Sequence, residues 1–209
     1  MKIYFLIFDK VEELDLVGSW EFIGLLAAKG FCELPKLVSL NSMMPSGEHG
    51  MRFSADIHIS EKIYPDILII PGGSGARLAM EDPKVIEYLQ VASDRCDAVL
   101  SICTAIFLMQ KAGLLDGKKV TTHWAFIEQL KEDKSVDVIE ERFIHDGHIW
   151  TSAGVSAGMD MTLAFIADYF GDTVAAQIQL EAEYYPEDKK YIDPKDSSKL
   201  PAYIKKLQQ

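Results

Sequence analysis

The sequence predicts an α/β fold with a mostly parallel central sheet covered by helices on both faces. Three observations carry this expectation. Apolar runs of strand length alternate with longer stretches of helical period along the 209 residues. Several runs are continuously apolar, as in Ile67-Leu-Ile-Ile70, which suits strands buried on both faces. The helical stretches also carry end signals where end signals belong.

Taken in order, strands are expected at Lys2–Phe8, Lys36–Asn41, Asp66–Pro71, Asp97–Ile102 and Lys119–Thr122, with shorter ones at Val138–Glu140, Phe143–His145 and Ile149–Thr151. Helices are expected at Leu16–Lys29, Pro83–Arg95, Thr104–Ala112, Ala125–Lys131, Ser156–Tyr169 and Thr173–Tyr184. Gly30, Gly113 and Gly171 stand where left-handed C-terminal caps would, and Asp82-Pro83 reads as an N-cap followed by proline at the first helical position. Asp146-Gly147 between two apolar runs is a two-residue hairpin signal. One domain is expected over residues 1–185. From Pro186 the composition turns to Lys, Asp, Pro and Ser, so residues 186–209 read as a tail or arm on that domain, ending in a short helix at Ala202–Leu207.

A formal net charge of −11 opposes sequence-independent attraction to nucleic acid or anionic lipid, so neither is an expected partner. Three cysteines, at 32, 96 and 103, form neither a disulfide framework nor a CxxC zinc pattern and point to a reducing, cytoplasmic setting. The apolar start, Ile3–Phe8, is too short for a signal-peptide core, and no later stretch is apolar for long enough to span a bilayer.

The chemistry concentrates at predicted strand ends, where open α/β sheets bind ligands. Cys103 follows the run Ala98–Ile102 at a strand-to-helix junction, where unpaired N–H groups and the helix dipole favour a thiolate. The loop Pro71-Gly-Gly-Ser-Gly75 lets backbone approach a reacting atom, and Thr151–Gly158 is a small-residue turn fit to wall the same pocket. The glycine loop has neither the Lys-Ser/Thr of a P-loop nor the third glycine of a dinucleotide fingerprint. Asp15, between the first strand and the first helix, reads either as a solvated N-cap or as an acid beside Cys103. In the second case the pair must share a proton, the acid staying protonated and hydrogen-bonding the thiolate. His123 closes another strand and reads as structural or as a substrate contact. His145 and His148 flank a hairpin turn without a third ligand, so no metal site is expected.

With these residues in place, the chain resembles the DJ-1/PfpI superfamily from Ile3 to about Glu183. The matching pieces are Leu14-Asp-Leu16 with Gly18, Asp66-Ile-Leu-Ile-Ile-Pro-Gly-Gly-Ser-Gly75, Met80-Glu-Asp-Pro83, Ser101-Ile-Cys-Thr104, Ala112-Gly-Leu-Leu-Asp-Gly117, Thr121-Thr-His-Trp124, Thr151-Ser-Ala-Gly154 and Ala157-Gly-Met-Asp160. Aspartate as the acid and threonine after the nucleophile align it with the isonitrile hydratase branch. The resemblance implies a flavodoxin-like three-layer sandwich of the class I glutamine amidotransferase type, a homodimer, and a cysteine on a strained elbow. It also implies a cofactor-independent hydro-lyase with Cys103, Asp15 and Thr104 catalytic and with Gly72, Gly73, His123 and Gly154 around substrate or oxyanion. Val17 and Ala105-Ile106 depart from the branch, and Ile106 is expected to narrow or re-aim the pocket. Two alternatives stay open: a glyoxalase or deglycase acting on small reactive carbonyls, for which His123 is the natural proton carrier, and a non-catalytic cysteine redox sensor.

Overall fold

A computed structural model describes residues 1–186, together with Pro201 and Tyr203. The expected tail, including a helix at Ala202–Leu207, lies otherwise outside the described residues. Seven strands form one sheet: β1 (Ile3–Ile7), β2 (Lys36–Ser39), β3 (Ile57–His58), β4 (Ile67–Ile70), β5 (Ala98–Ile102), β8 (Phe143–Asp146) and β9 (Ile149–Ser152). Their order is β3-β2-β1-β4-β5-β9-β8, and every neighbour pair is parallel except the β8–β9 hairpin. Every residue of β1, β4 and β5 is buried, as expected of strands covered on both faces.

Helices α1 (Glu13–Ala28), α6 (Ala157–Phe170) and α7 (Asp172–Glu181) pack together on one face. The other face holds α2 (Gly75–Ala79), α3 (Pro83–Arg95) and α4 (Ile106–Lys111), while α5 (Ile127–Leu130) follows the 3₁₀ turn Trp124–Phe126. Asp82 caps α3 as its sequence predicts, Oδ1 accepting the Lys84 N–H at 2.9 Å. No helix of the described residues is long and apolar enough to cross a membrane.

Four departures from expectation have local causes. The strand at Lys119 leaves the main sheet: β6 (Lys119–Val120) pairs only with β7 (Asp137–Val138). β3 and α2 were not expected, being only two and five residues long. The helix after Cys103 begins as a 3₁₀ turn over Cys103–Ala105 and becomes α-helical only at Ile106. Finally, α1 starts at Glu13 rather than Leu16, which moves Asp15 out of the cap and into the first helical turn.

Strand order reverses between β1 and β4, because the chain runs outward from β1 through β2 and β3 before returning to β4. Such a switch point opens a crevice at the carboxyl ends of the strands. The loops after β1, β4 and β5 meet there.

Candidate active site

Cys103 leaves β5 with φ of 57°, a left-handed conformation that costs a non-glycine residue about 1–3 kcal/mol. The elbow is held from behind, where the Thr122 hydroxyl donates to the Cys103 carbonyl at 2.8 Å. Its sulfur looks into a cavity of about 420 Å³ whose walls include Glu12, Glu48, Gly73, Thr104, His123 and Val155.

Asp15 is wholly buried at the N-terminus of α1, and its Oδ2 accepts the Gly72 N–H at 2.8 Å. Oδ1 has no regular hydrogen-bond partner among the described residues, while the Val155 N–H and the Cys103 thiol bear on the carboxyl group as a whole. Burial, reinforced by the Glu12 charge, raises the carboxyl pKa to about 8 against the Gly72 bond that lowers it. A carboxylic acid that keeps its proton at pH 7 is the result.

The thiol departs from the sequence expectation in one respect. Burial first, then the neighbouring Asp15, pushes Cys103 up to about 12, outweighing the Val155 and Thr104 N–H groups that favour the anion. The helix that follows opens with a 3₁₀ turn and is α-helical only over Ile106–Lys111, and this short dipole does not offset desolvation. At rest the pair is therefore a thiol beside a protonated acid, and it titrates as a unit.

The glycine loop serves this pair differently from the expected role. The Gly72 N–H is committed to Asp15, and the Gly73 N–H donates to Thr104 Oγ1 at 2.9 Å, so neither is free for substrate. Thr104 returns the bond, its hydroxyl donating to the Gly73 carbonyl at 3.1 Å; its side chain braces the loop and only its N–H faces the sulfur. Both glycines are sterically required. A Cβ on Gly72 would stand 2.7 Å from Thr104 N, and one on Gly73, where φ is 116°, would stand 2.3 Å from the Lys10 carbonyl.

The donor on the far wall is Val155, in a left-handed conformation at φ 47°. Its N–H bears on both Cys103 and Asp15. The small-residue turn was legible, but a β-branched residue with positive φ leaves no sequence signal. Gly154 acts by shape, since a Cβ there would stand 2.0 Å from His123 Cδ2.

His123 lines the cavity half-buried, and burial lowers its pKa, so the ring is neutral at pH 7. Its Nδ1 accepts the Ala125 N–H at 3.2 Å, which assigns the ring proton to Nε2. The imidazole offers a donor rather than a base. Ile106 is fully buried in the core and is no part of the cavity wall, and Val17 is 40% exposed outside it, so neither re-aims the pocket. His145 stacks on Trp150 at 3.8 Å, whereas His148 pairs with Ser93 at 3.2 Å, so the two rings serve different partners.

One element of the rim was not expected at all. The segment after β2 returns over the site, where the Glu13 carboxylate accepts the His49 N–H at 2.7 Å and meets His49 Nδ1 at 2.8 Å. Glu48, carried on this strap, accepts from Ser74 N–H and Oγ–H at 3.0 and 2.6 Å. Glu12, Glu13 and His49 form the one group among the described residues with metal-ligand spacing. Two of the three, Glu13 and His49, already satisfy each other.

A cysteine elbow after β5, facing an acid from the first helix across a glycine loop after β4, defines a cysteine-centred α/β sandwich. Residues 1–168 match the DJ-1/PfpI family, and the chain belongs to it. It is 28% identical over 187 residues to isonitrile hydratase of Pseudomonas putida, covering 89% of this chain and 79% of that one. A crystal structure of a ThiJ/PfpI family protein from Pseudomonas syringae superposes with a TM-score of 0.79 at 26% identity, covering 89% and 76% of the two chains. Drosophila melanogaster DJ-1beta shares the fold at a TM-score of 0.78 and 17% identity, over 88% of this chain and 98% of that one.

Proposed function

We propose that the protein hydrates an isonitrile to an N-substituted formamide, as a hydro-lyase that draws its chemistry from Cys103 and Asp15. The observation that supports this best is a buried carboxylic acid, protonated at neutral pH, beside a thiol at the base of a cavity. The terminal carbon of an isonitrile must gain both a nucleophile and a proton, and this pair supplies the two together. Sulfur bonds to carbon while Asp15 delivers its proton there and accepts the one leaving the thiol, giving R–N=CH–S–Cys103. Water then adds to the C=N bond, with Asp15 moving the proton to nitrogen. Collapse of the adduct breaks C–S, releases R–NH–CHO and returns the thiol.

The Val155 and Thr104 N–H groups hold the sulfur as charge builds on it. Carbonyl isomerisation of the glyoxalase type draws less support, because it needs a base and the unprotonated ring nitrogen of His123 already accepts the Ala125 N–H. Assay of the purified protein with cyclohexyl isocyanide, following the formamide by mass spectrometry, tests the proposal. Turnover by wild type and its loss in Cys103→Ala are expected; no formamide, or equal rates in both proteins, overturns it.

The same reading includes a cytoplasmic homodimer, with Leu14 and Val17, 42% and 40% exposed one turn apart on α1, as the outward apolar face. Light scattering on wild type and Val17→Glu checks it: a dimer weakened by the charge is expected, and a monomeric wild type overturns it.

A further inference from the structure

We propose that the cavity selects substrates whose N-substituent carries a positive charge, with Glu48 and Glu12 as the residues that set this preference. Both carboxylates line the cavity that holds Cys103. Neither makes an ion pair within 4.0 Å among the described residues. Glu48 is fixed in place, because Ser74 N–H and Oγ–H both bind Oε2, which leaves Oε1 for a ligand. Its backbone is fixed too, the Glu48 N–H donating to the Val11 carbonyl at 2.8 Å. Glu12 lies near enough to the reacting pair for its charge to bear on both Asp15 and Cys103.

Arg77, the permanent cation of the lining, does not cancel them. Its guanidinium donates to Gln129 Oε1 at 3.1 Å and sits over Phe126 and Phe107 at 4.8 and 5.8 Å. Arg77 and Phe126 line this cavity while Gln129 and Phe107 line the adjoining one, so the guanidinium is shared between the two, and one such cation against two carboxylates leaves the wall around the nucleophile net negative. His123 is neutral, and Lys10 and His49 act on Glu48 only at a distance. A carboxylate on the substrate would meet two like charges, whereas an ammonium group would meet two partners.

The inference rests on the isonitrile reading for the reactive carbon but not for the charge of the cavity. The decisive pair of substrates is 2-isocyanoethyl-trimethylammonium and its uncharged isostere 3,3-dimethylbutyl isocyanide. Two partly exposed carboxylates, each acting at the level of a surface ion pair, give about a tenfold preference in kcat/KM for the cation, equivalent to about 1.4 kcal/mol. The preference should fall to about threefold in Glu48→Gln and shrink in high salt. A ratio at or below one in wild type, or a ratio unchanged in both Glu48→Gln and Glu12→Gln, overturns the inference.

If neither isonitrile is hydrated, the proposed function fails and charge selection is read separately. Cys103 is then labelled with the trimethylammonium-ethyl and the sulfonatoethyl methanethiosulfonates, each rate normalised to 2-mercaptoethanol and read on the Cys103 peptide. Faster cationic labelling that Glu48→Gln abolishes supports the inference. Equal rates, faster anionic labelling, or a sulfur that neither reagent reaches overturns it.

Discussion

Replacing Asp15 by asparagine should stabilise the protein while destroying its chemistry, and the gain should depend on pH in a way fixed by one proton. In the unfolded chain the carboxyl ionises at its ordinary value of 3.8, whereas burial in the fold, helped by the Glu12 charge, raises it to about 8. Between these values the folded state binds one more proton than the unfolded state, so stability from this group is full below pH 3.8 and is lost as pH rises through 8. The slope is about 1.4 kcal/mol per pH unit, which by pH 7 amounts to about 4 kcal/mol. Asparagine has no such proton. The stability difference between Asp15→Asn and wild type should therefore widen by about 3 kcal/mol from pH 5 to pH 7. Cys103 does not disturb this window, because its ordinary value of 9.0 is raised further by burial. Urea unfolding at pH 5, 6 and 7, followed by tryptophan fluorescence, gives the difference directly. A gap that stays constant to within about 0.5 kcal/mol across these pH values refutes the account of a protonated buried acid.

Three further outcomes are expected. Because the acid must hold its proton, kcat/KM should be flat from pH 6 to 7.5 and fall above about 8, and His123→Asn should leave that limb where it is; a limb that moves with the histidine would make His123 the titrating base. Gly72→Ala places a Cβ 2.7 Å from Thr104 N and 2.9 Å from Asp15 Oδ2, so backbone must shift; about 1–3 kcal/mol of stability and about 100-fold in turnover should be lost, read by thermal unfolding and formamide assay. Glu13→Gln should loosen the strap and speed tryptic cleavage after Arg52. Burial tends to raise the Glu13 pKa, but the bonds from His49 and Met51 bring it down to about 2, so this carboxylate's support is present above pH 4.5 and fades as pH falls toward 2.

Much of this arrangement is legible in the chain because its physics is local. Continuous apolar runs mark β1, β4 and β5, and Asp82-Pro83 marks the start of α3 at the expected residue. The candidate nucleophile and acid are legible as well, one as a cysteine directly after a buried strand and the other as an aspartate in the stretch that leads from the first strand into the first helix. What is not legible depends on partners far away in sequence. The early start of α1 goes with the Gly72 carbonyl, which receives the Glu12 N–H at 2.9 Å across sixty residues. The true commitments of Gly72 and Gly73 follow from Asp15 and Thr104 reaching them, and glycine composition alone reads only as exposed backbone. Val155 and Glu48 escape for the same reason, since a valine in a turn and a glutamate in a loop acquire meaning only from what they face.

The crevice has three owners. Sulfur comes from the end of β5, its acid from the helix that follows β1, and the bracket joining them from the loop after β4. Because those three strands are neighbours whose partners lie more than thirty residues apart along the chain, no early hairpin or isolated helix assembles even two of these parts. Chemical competence must then arrive late in folding and all at once. A thiol probe applied during refolding should react with Cys103 rapidly until the central strands lock into register and more slowly afterwards, because the folded site raises the thiol pKa, which makes the residue an internal clock for completion of the fold.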